Sequence, residues 1–186
     1  MNEPGIFRDG TLPAGATLGA GTIVTGGRAF ARFFARRPDA LAVGERCTLD
    51  GVTFAVGKAG RLVIGDHCYA TGAVLLSELD VRIGNRVMLA WNVTISDTDF
   101  HPIDPELRIV DAEACSNVSN GRSRPEIPCK PVVIEDDVYI GPNATILKGV
   151  RIGAGSWIGA GSLVTHDVPP RSCVIGNPGR VVGGVE

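Results

Sequence analysis

Residues 134–168 read IEDDVYIGPNATILKGVRIGAGSWIGAGSLVTHDV. Within them Ile134, Ile140, Ile146, Ile152, Ile158 and Val164 recur every six residues. A second series of short side chains, Val138, Ala144, Val150, Ser156 and Ser162, follows four residues behind, and Gly141, Gly153 and Gly159 come directly after members of the first. An α-helix repeats every 3.6 residues and a plain strand alternates without a break, so neither produces a period of six. Each hexad therefore reads as a short strand followed by a turn. Three hexads closing one triangular turn predict that Ile134 lies on Ile152, Ile140 on Ile158 and Ile146 on Val164, at the strand spacing of about 4.8 Å.

Working outward, the same period occurs in shorter runs: Leu12, Leu18, Val24; Val43, Leu49, Ala55; Ile64, Ala70, Leu76; and Ile83, Leu89, Ile95. The units add up to six coils, an all-β prism roughly 29 Å tall that takes in residues 1–186 as a single domain. Two stretches break the period. Residues 27–40, GRAFARFFARRPDA, intersperse Phe30, Phe33 and Phe34 with Arg28, Arg32, Arg36 and Arg37 before Pro38, which predicts a short amphipathic helix packed as a cap or flank on the prism. The interval from Ile95 to Ile134 is not a multiple of six, so residues 97–130 are expected to leave the prism as a long loop. Loops of that length inside compact domains usually carry function.

Composition narrows the classes. The chain has 186 residues, and its 18 Lys and Arg against 20 Asp and Glu give a net charge of −2, which leaves no basic footprint for nucleic acid. With 44% hydrophobic and 20% charged residues it is globular rather than disordered. Its 25 Gly and 12 Pro against 5% aromatics describe a chain that turns often and packs aliphatic side chains. No run of 18 apolar residues occurs and MNEPGIFRDG lacks a basic-then-apolar leader, so a cytoplasmic protein without a membrane span is expected. Cys47, Cys68, Cys115, Cys129 and Cys173 are odd in number and form no CxxC, which points to reduced thiols and away from disulfides or structural zinc.

Few residues are available for chemistry. Of three histidines, His67 falls at a turn and His166 at the end of the last repeat, both read as surface residues, and their spacing from His101 gives no local metal-ligand pattern. His101 lies in ISDTDFHPIDPELR, where the prism yields to the loop. An imidazole with an unperturbed pKa of about 6.5 can take a proton from a hydroxyl or amine and return it. Asp97, Asp99, Asp104 and Glu106 are near enough in sequence for one of them to orient it.

These segments resemble a known family. The IGxxVxIGxxxxI pattern of residues 134–182, together with IGNRVMLAWNVTISDTDFHPIDPELR, resembles the hexapeptide-repeat acyltransferases, in particular the galactoside and maltose acetyltransferase branch and the related polysaccharide O-acetyltransferases. The resemblance spans most of residues 60–182 and implies a left-handed parallel β-helix assembled as a homotrimer with active sites between subunits. It also implies acetyl-CoA as acyl donor, with no metal. By this resemblance His101 matches the catalytic base and Asn92 an asparagine that binds the acceptor. Tyr139 matches an aromatic position beside the thioester, Ala160 and Thr165 match positions whose backbone contacts the pantetheine arm, and Arg180 matches a basic residue near the phosphates. His166 stands where many members have Lys, and Pro142 where some have Ser.

The expected reaction is direct transfer of an acetyl group to a sugar hydroxyl on a polysaccharide, glycan or glycoside. Arg108, Asn117, Asn120, Arg122, Arg124 and Glu126 of the loop offer hydrogen bonds to such an acceptor. N-acetylation of an amino sugar or a xenobiotic is the nearest alternative. A covalent route through Cys115 or Cys129 lacks a neighbouring histidine in sequence. A non-catalytic β-helix scaffold is the reading from another class.

Overall fold

A computed structural model of the chain describes residues 3–116 and 121–185. Strands of two to five residues wind into three sheets of nine, six and five strands that stack coil upon coil as a parallel β-helix. Six complete coils, extended by Ile6–Phe7 at one end and Ser172–Ile175 at the other, make about seven turns, one more than the sequence period predicts. The last strand, Arg180–Gly184, folds back antiparallel on Ser172–Ile175.

The predicted ladder is present. Ile134 pairs with Ile152, Ile140 with Ile158 and Ile146 with Val164, and none of the six is more than 2% exposed. Burial of each such side chain is favourable by about 1.5–3 kcal/mol. The second series, Val138, Ala144, Val150, Ser156 and Ser162, lies buried at the insides of the corners, where only short side chains fit. At one corner Arg46, His67, Arg86, Asp137 and Arg171 all take positive φ. Beside them a side-chain ladder replaces backbone bonds: the Glu45 amide donates to Asp66 Oδ1 at 2.7 Å, Asp66 to Asn85 Oδ1 at 2.9 Å, and Asn85 to Asp136 Oδ1 at 2.9 Å.

Several expectations are corrected. In the upstream coils Phe54 and Leu75, not Ala55 and Leu76, stack in line with Ile95. Gly51 and Gly72, both at φ +61, turn this corner in one residue fewer than the Ala90–Val93 turn does, so the inward phase shifts by one position. Leu12 lies outside the strands and is half-buried.

Residues 27–40 form no helix but a run of turns ending in a bridge from Phe33 to Val56. The chain here must serve as the third side of the first coil while covering its open end. Phe30 does so by stacking on Phe54 at 5.1 Å and meeting Phe7 and Phe33 edge-on at 4.9 and 5.8 Å.

Residues 97–130 do leave the prism, but they contain a helix, α1 (Pro105–Cys115). Asp104 caps it, its Oδ1 accepting from the amides of Glu106 and Leu107 at 2.9 and 3.0 Å, and Pro105 opens the first turn. The returning chain closes on its departure point through a bridge from Thr98 to Cys129 and a 2.9 Å bond from the Lys130 amide to the Asp97 carbonyl.

Candidate active site

The excursion is anchored where it begins. Asp97 is fully buried and accepts from Ser77 Oγ at 2.9 Å and from the amides of Glu78, Leu79 and Asp80 at 2.8, 2.9 and 2.8 Å. Two residues on, Asp99 pairs with Lys148 at 2.7 Å. Phe100 then takes φ +67, and the His101 amide donates to the Asp99 carbonyl at 2.8 Å. A bond from residue i+2 to residue i across a positive-φ centre is the uncommon γ-turn geometry, strained for a bulky side chain. It turns the His101 side chain out of the prism.

His101 Nδ1 lies 2.5 Å from Oδ2 of Asp111, on the inner face of α1. The carboxylate is 0% exposed and the imidazole side chain 62% exposed, so the pair presents a solvent-facing ring backed by a buried anion. A neutral imidazole held this way carries its proton on Nδ1 and leaves the Nε2 lone pair free to accept another. Arg124, from the returning chain, donates through Nε to Asp111 Oδ1 at 2.6 Å and through Nη2 to Oδ2 at 3.0 Å and to the Phe100 carbonyl at 2.7 Å. The Arg124 guanidinium, with His101 adding a smaller effect, holds the Asp111 carboxyl down at about 2. None of Asp97, Asp99, Asp104 or Glu106 orients His101: the first three are engaged in the anchor, the Lys148 pair and the helix cap, and Glu106 is exposed on the first turn of α1.

The other residues singled out in the sequence divide between the two edges of the five-stranded sheet. Asn92 takes φ +57 at the corner where chains enter this sheet, stacked between Gly72 and Asn143, with Nδ2 donating to Asn143 Oδ1 at 3.3 Å. Ala160 is exposed at the same corner, next to Gly161. His101 and Thr165 follow the strands Thr94–Ser96 and Leu163–Val164, at the opposite edge. Tyr139 lies on the outer face of the nine-stranded sheet, its ring stacked 5.9 Å from that of Trp157. The chain thus does not gather these residues into one cluster by itself.

Several polar groups at these corners and at the last strand lack partners. Among the described residues, neither the Ala160 nor the Thr165 amide has an acceptor, although neighbouring amides bond between coils. Arg180 donates only to the Gly179 carbonyl at 2.9 Å and pairs with no carboxylate among the described residues. Pro142 offers its carbonyl to the Gly161 amide at 2.9 Å. Thr165 Oγ1 lies 2.7 Å from Nδ1 of the exposed His166, and His67 is exposed at its corner.

The loop side chains expected to meet an acceptor are largely engaged within the excursion. Arg108 donates to the Ile103 carbonyl at 2.6 Å, Arg122 pairs with Glu113, and Arg124 serves Asp111. Glu126 is exposed, and Asn117 and Asn120 lie outside the described residues. Burial pushes the Cys129 thiol up, the direction that lowers its thiolate fraction. Cys115 Sγ stands 3.9 Å from Asp111 Oδ1, a carboxylate too weak a base to take the proton of a thiol. Among the described residues no cluster of three or more His, Cys, Asp or Glu is placed to hold a metal ion, and no helix is long and apolar enough to cross a membrane.

Residues 131–166 match the bacterial transferase hexapeptide (six repeats) family. The chain is 36% identical over 137 residues to the galactoside O-acetyltransferase of Lactococcus lactis, a match covering 73% of this chain and 59% of that protein. Among solved structures, a hexapeptide-repeat acetyltransferase from Vibrio cholerae is 33% identical with a TM-score of 0.61, covering 75% of this chain and 70% of the other. A galactoside acetyltransferase in complex with coenzyme A is 35% identical with a TM-score of 0.63, covering 77% and 64%. The chain belongs to the hexapeptide-repeat acetyltransferases. It spans about three fifths of the length of the curated relatives it matches, 59% and 62% for two galactoside O-acetyltransferases.

Proposed function

We propose that the protein is an acetyl-CoA-dependent O-acetyltransferase that modifies a sugar hydroxyl by direct transfer, with His101 as general base. The observation that carries this reading is the exposed imidazole backed by a buried carboxylate, His101 on Asp111 at 2.5 Å, on the flank of a β-helix whose relatives include galactoside O-acetyltransferases and a coenzyme A complex.

Acetyl-CoA supplies an activated thioester carbonyl. The unspent amides of Ala160 and Thr165 are suited to the amide groups of the pantetheine arm, the unpaired Arg180 to the phosphates, and the Tyr139 ring to the thioester end. Asn92 offers its side-chain amide to the acceptor. His101 Nε2 takes the proton of the acceptor hydroxyl as that oxygen bonds to the thioester carbonyl carbon. The C–S bond breaks, and the imidazolium returns the proton to the departing thiolate. Asp111 keeps the ring in one orientation and one tautomer throughout. A positioned base contributes about 10² to 10⁴ in rate, whereas holding both reactants together supplies about 7 to 11 kcal/mol, so placement of the substrates is the larger part of catalysis.

Because Asn92 and Ala160 stand at one edge of the five-stranded sheet and His101 and Thr165 at the other, a site using all four requires two chains. This favours an oligomer with its sites between subunits, of which the homotrimer implied by the family resemblance is one. The testing experiment is thiol release from acetyl-CoA across a panel of galactosides, maltosides, oligosaccharides and amino sugars, with a thermal shift on acetyl-CoA alone. Acceptor-dependent release with a sugar supports the reading. Stabilisation without release on any acceptor, or no response to acetyl-CoA, overturns it in favour of a binding or scaffold role.

A further inference from the structure

An anion buried against an imidazole poses a problem for a base. An unbalanced carboxylate at hydrogen-bond distance favours the imidazolium, which has no lone pair to accept a proton. The same carboxylate is nonetheless needed to fix the ring. Arg124 stands where it can resolve this. Its guanidinium meets both oxygens of Asp111 in a two-point pairing at 2.6 and 3.0 Å, the geometry in which arginine binds a carboxylate most strongly. It also binds the carbonyl of Phe100 at 2.7 Å, the residue at φ +67 that turns His101 outward. One side chain therefore holds the carboxylate, neutralises its charge and fixes the strained peptide next to the base.

We propose that Arg124 is a positioning residue of the site. Its two-point pairing seats Asp111 against His101 and cancels the carboxylate charge, so that the imidazole is oriented without being kept protonated. This rests on His101 being the base of the proposed reaction, but its physical content is a charge coupling that exists without turnover.

The charged and titratable groups around the triad are few. From α1 come Asp111 and Cys115, the latter 3.9 Å from Asp111 Oδ1. From the returning chain comes Arg124. From the prism Glu78 acts on Arg124 at longer range and is itself pushed up, first by burial and then by Asp97. Asp99, beside His101 in sequence, is matched by Lys148 at 2.7 Å. The charged groups joined to the ring are thus Asp111 directly and Arg124 through it, and removing the one should move the His101 midpoint the opposite way from removing the other.

The test is an NMR titration of the His101 ring in the full chain without ligands, which is tractable because the chain has three histidines and an H101Q variant assigns the signal. R124M should raise the His101 midpoint by about one pH unit, the scale of a nearby opposite charge. D111N, which leaves the guanidinium unbalanced, should lower it, and the D111N/R124M double variant should not show the rise. R124K, which keeps the charge without the two-point geometry, should restore the midpoint towards wild type yet lower kcat more than it raises KM. If R124M does not fold, D111N should still lower the midpoint while R124K keeps it close to wild type, and a D111N midpoint at or above wild type would overturn the inference. Midpoints unchanged or shifted in the same direction by D111N and R124M would overturn the inference. Because the titration needs no acceptor, failure to find acetyl transfer leaves it readable and counts against the proposed function alone.

Discussion

Ile83 stacks directly on Ile134, although the whole 97–130 excursion lies between them in the chain. The coil resumes in register because the excursion leaves and returns at one point, where Thr98 bridges Cys129 and the Lys130 amide binds the Asp97 carbonyl at 2.9 Å. The prism therefore does not depend on the excursion. Replacing residues 100–127 with a short Gly-Ser turn should leave the β-rich circular dichroism spectrum and a cooperative melt in place while abolishing acetyl transfer. A protein that fails to melt cooperatively would show that the excursion supports the coils.

In the proposed reaction His101 moves a proton and makes no contact with coenzyme A. H101A should lower kcat by about 10² to 10⁴, and the Kd for acetyl-CoA by isothermal titration calorimetry should stay close to wild type. The exposed ring makes few packing contacts, so the melting temperature should change little. A variant that loses acetyl-CoA binding along with turnover would place His101 in the donor site instead.

The Asp111 carboxyl is held at about 2 against an ordinary 3.8, first by the bonds from Arg124. A group whose folded value is depressed adds stability that is present above the unfolded value and is lost as pH falls through the folded one. The stability gap between wild type and D111N should therefore be full at neutral pH and close progressively from about pH 4 down to about pH 2. Thermal melts of both proteins across that range measure it, and a gap that stays constant would mean that folding does not lower the Asp111 carboxyl.

The one-residue corner at Gly72 makes a sharper test of the fold. Leu75 points into the core and is 0% exposed, while Leu76 is half-buried on the other side of the strand. L75A should cost about 2–5 kcal/mol, the range for deleting buried aliphatic groups, and L76A less than half as much, by urea denaturation. Equal costs would favour the uninterrupted hexad register.

The fold was legible because the 134–164 repeats have one kind of residue doing one job: a β-branched aliphatic, Ile or Val, at each rung and a short side chain at each corner. Legibility failed where the corners changed length. Gly51 and Gly72 shift the phase by one, and the 27–40 segment, whose Phe spacing suits a helix, is drawn into turns by the need to cover the open end of the core. In the site, His101 stood out by its place at the edge of the repeats, but its partner did not. The signal was present in Asp104-Pro105-Glu106, a helix start with its cap and first-turn proline. Reading α1 from that start would have put Asp111 on a helix near His101, where a loop reading considered only nearer carboxylates. Arg124 carried no such signal, because its role depends on the chain returning to the anchor at Asp97.

Within one chain the strand Thr94–Ser96 separates Asn92 at one edge of the five-stranded sheet from His101 beyond the other. If both serve the same acceptor, they come from different subunits, and each site joins one edge of one chain to the opposite edge of its neighbour. N92A and H101A should then each be inactive alone but recover activity when unfolded together and refolded as mixed oligomers. Random equal mixing in a cyclic assembly leaves about one quarter of such sites with both residues intact. The measurement is turnover of the mixture against each variant refolded separately, with assembly state followed by sedimentation. Recovery near that fraction would locate the site between subunits, and a mixture no more active than its parts would mean that the two residues do not act together across an interface.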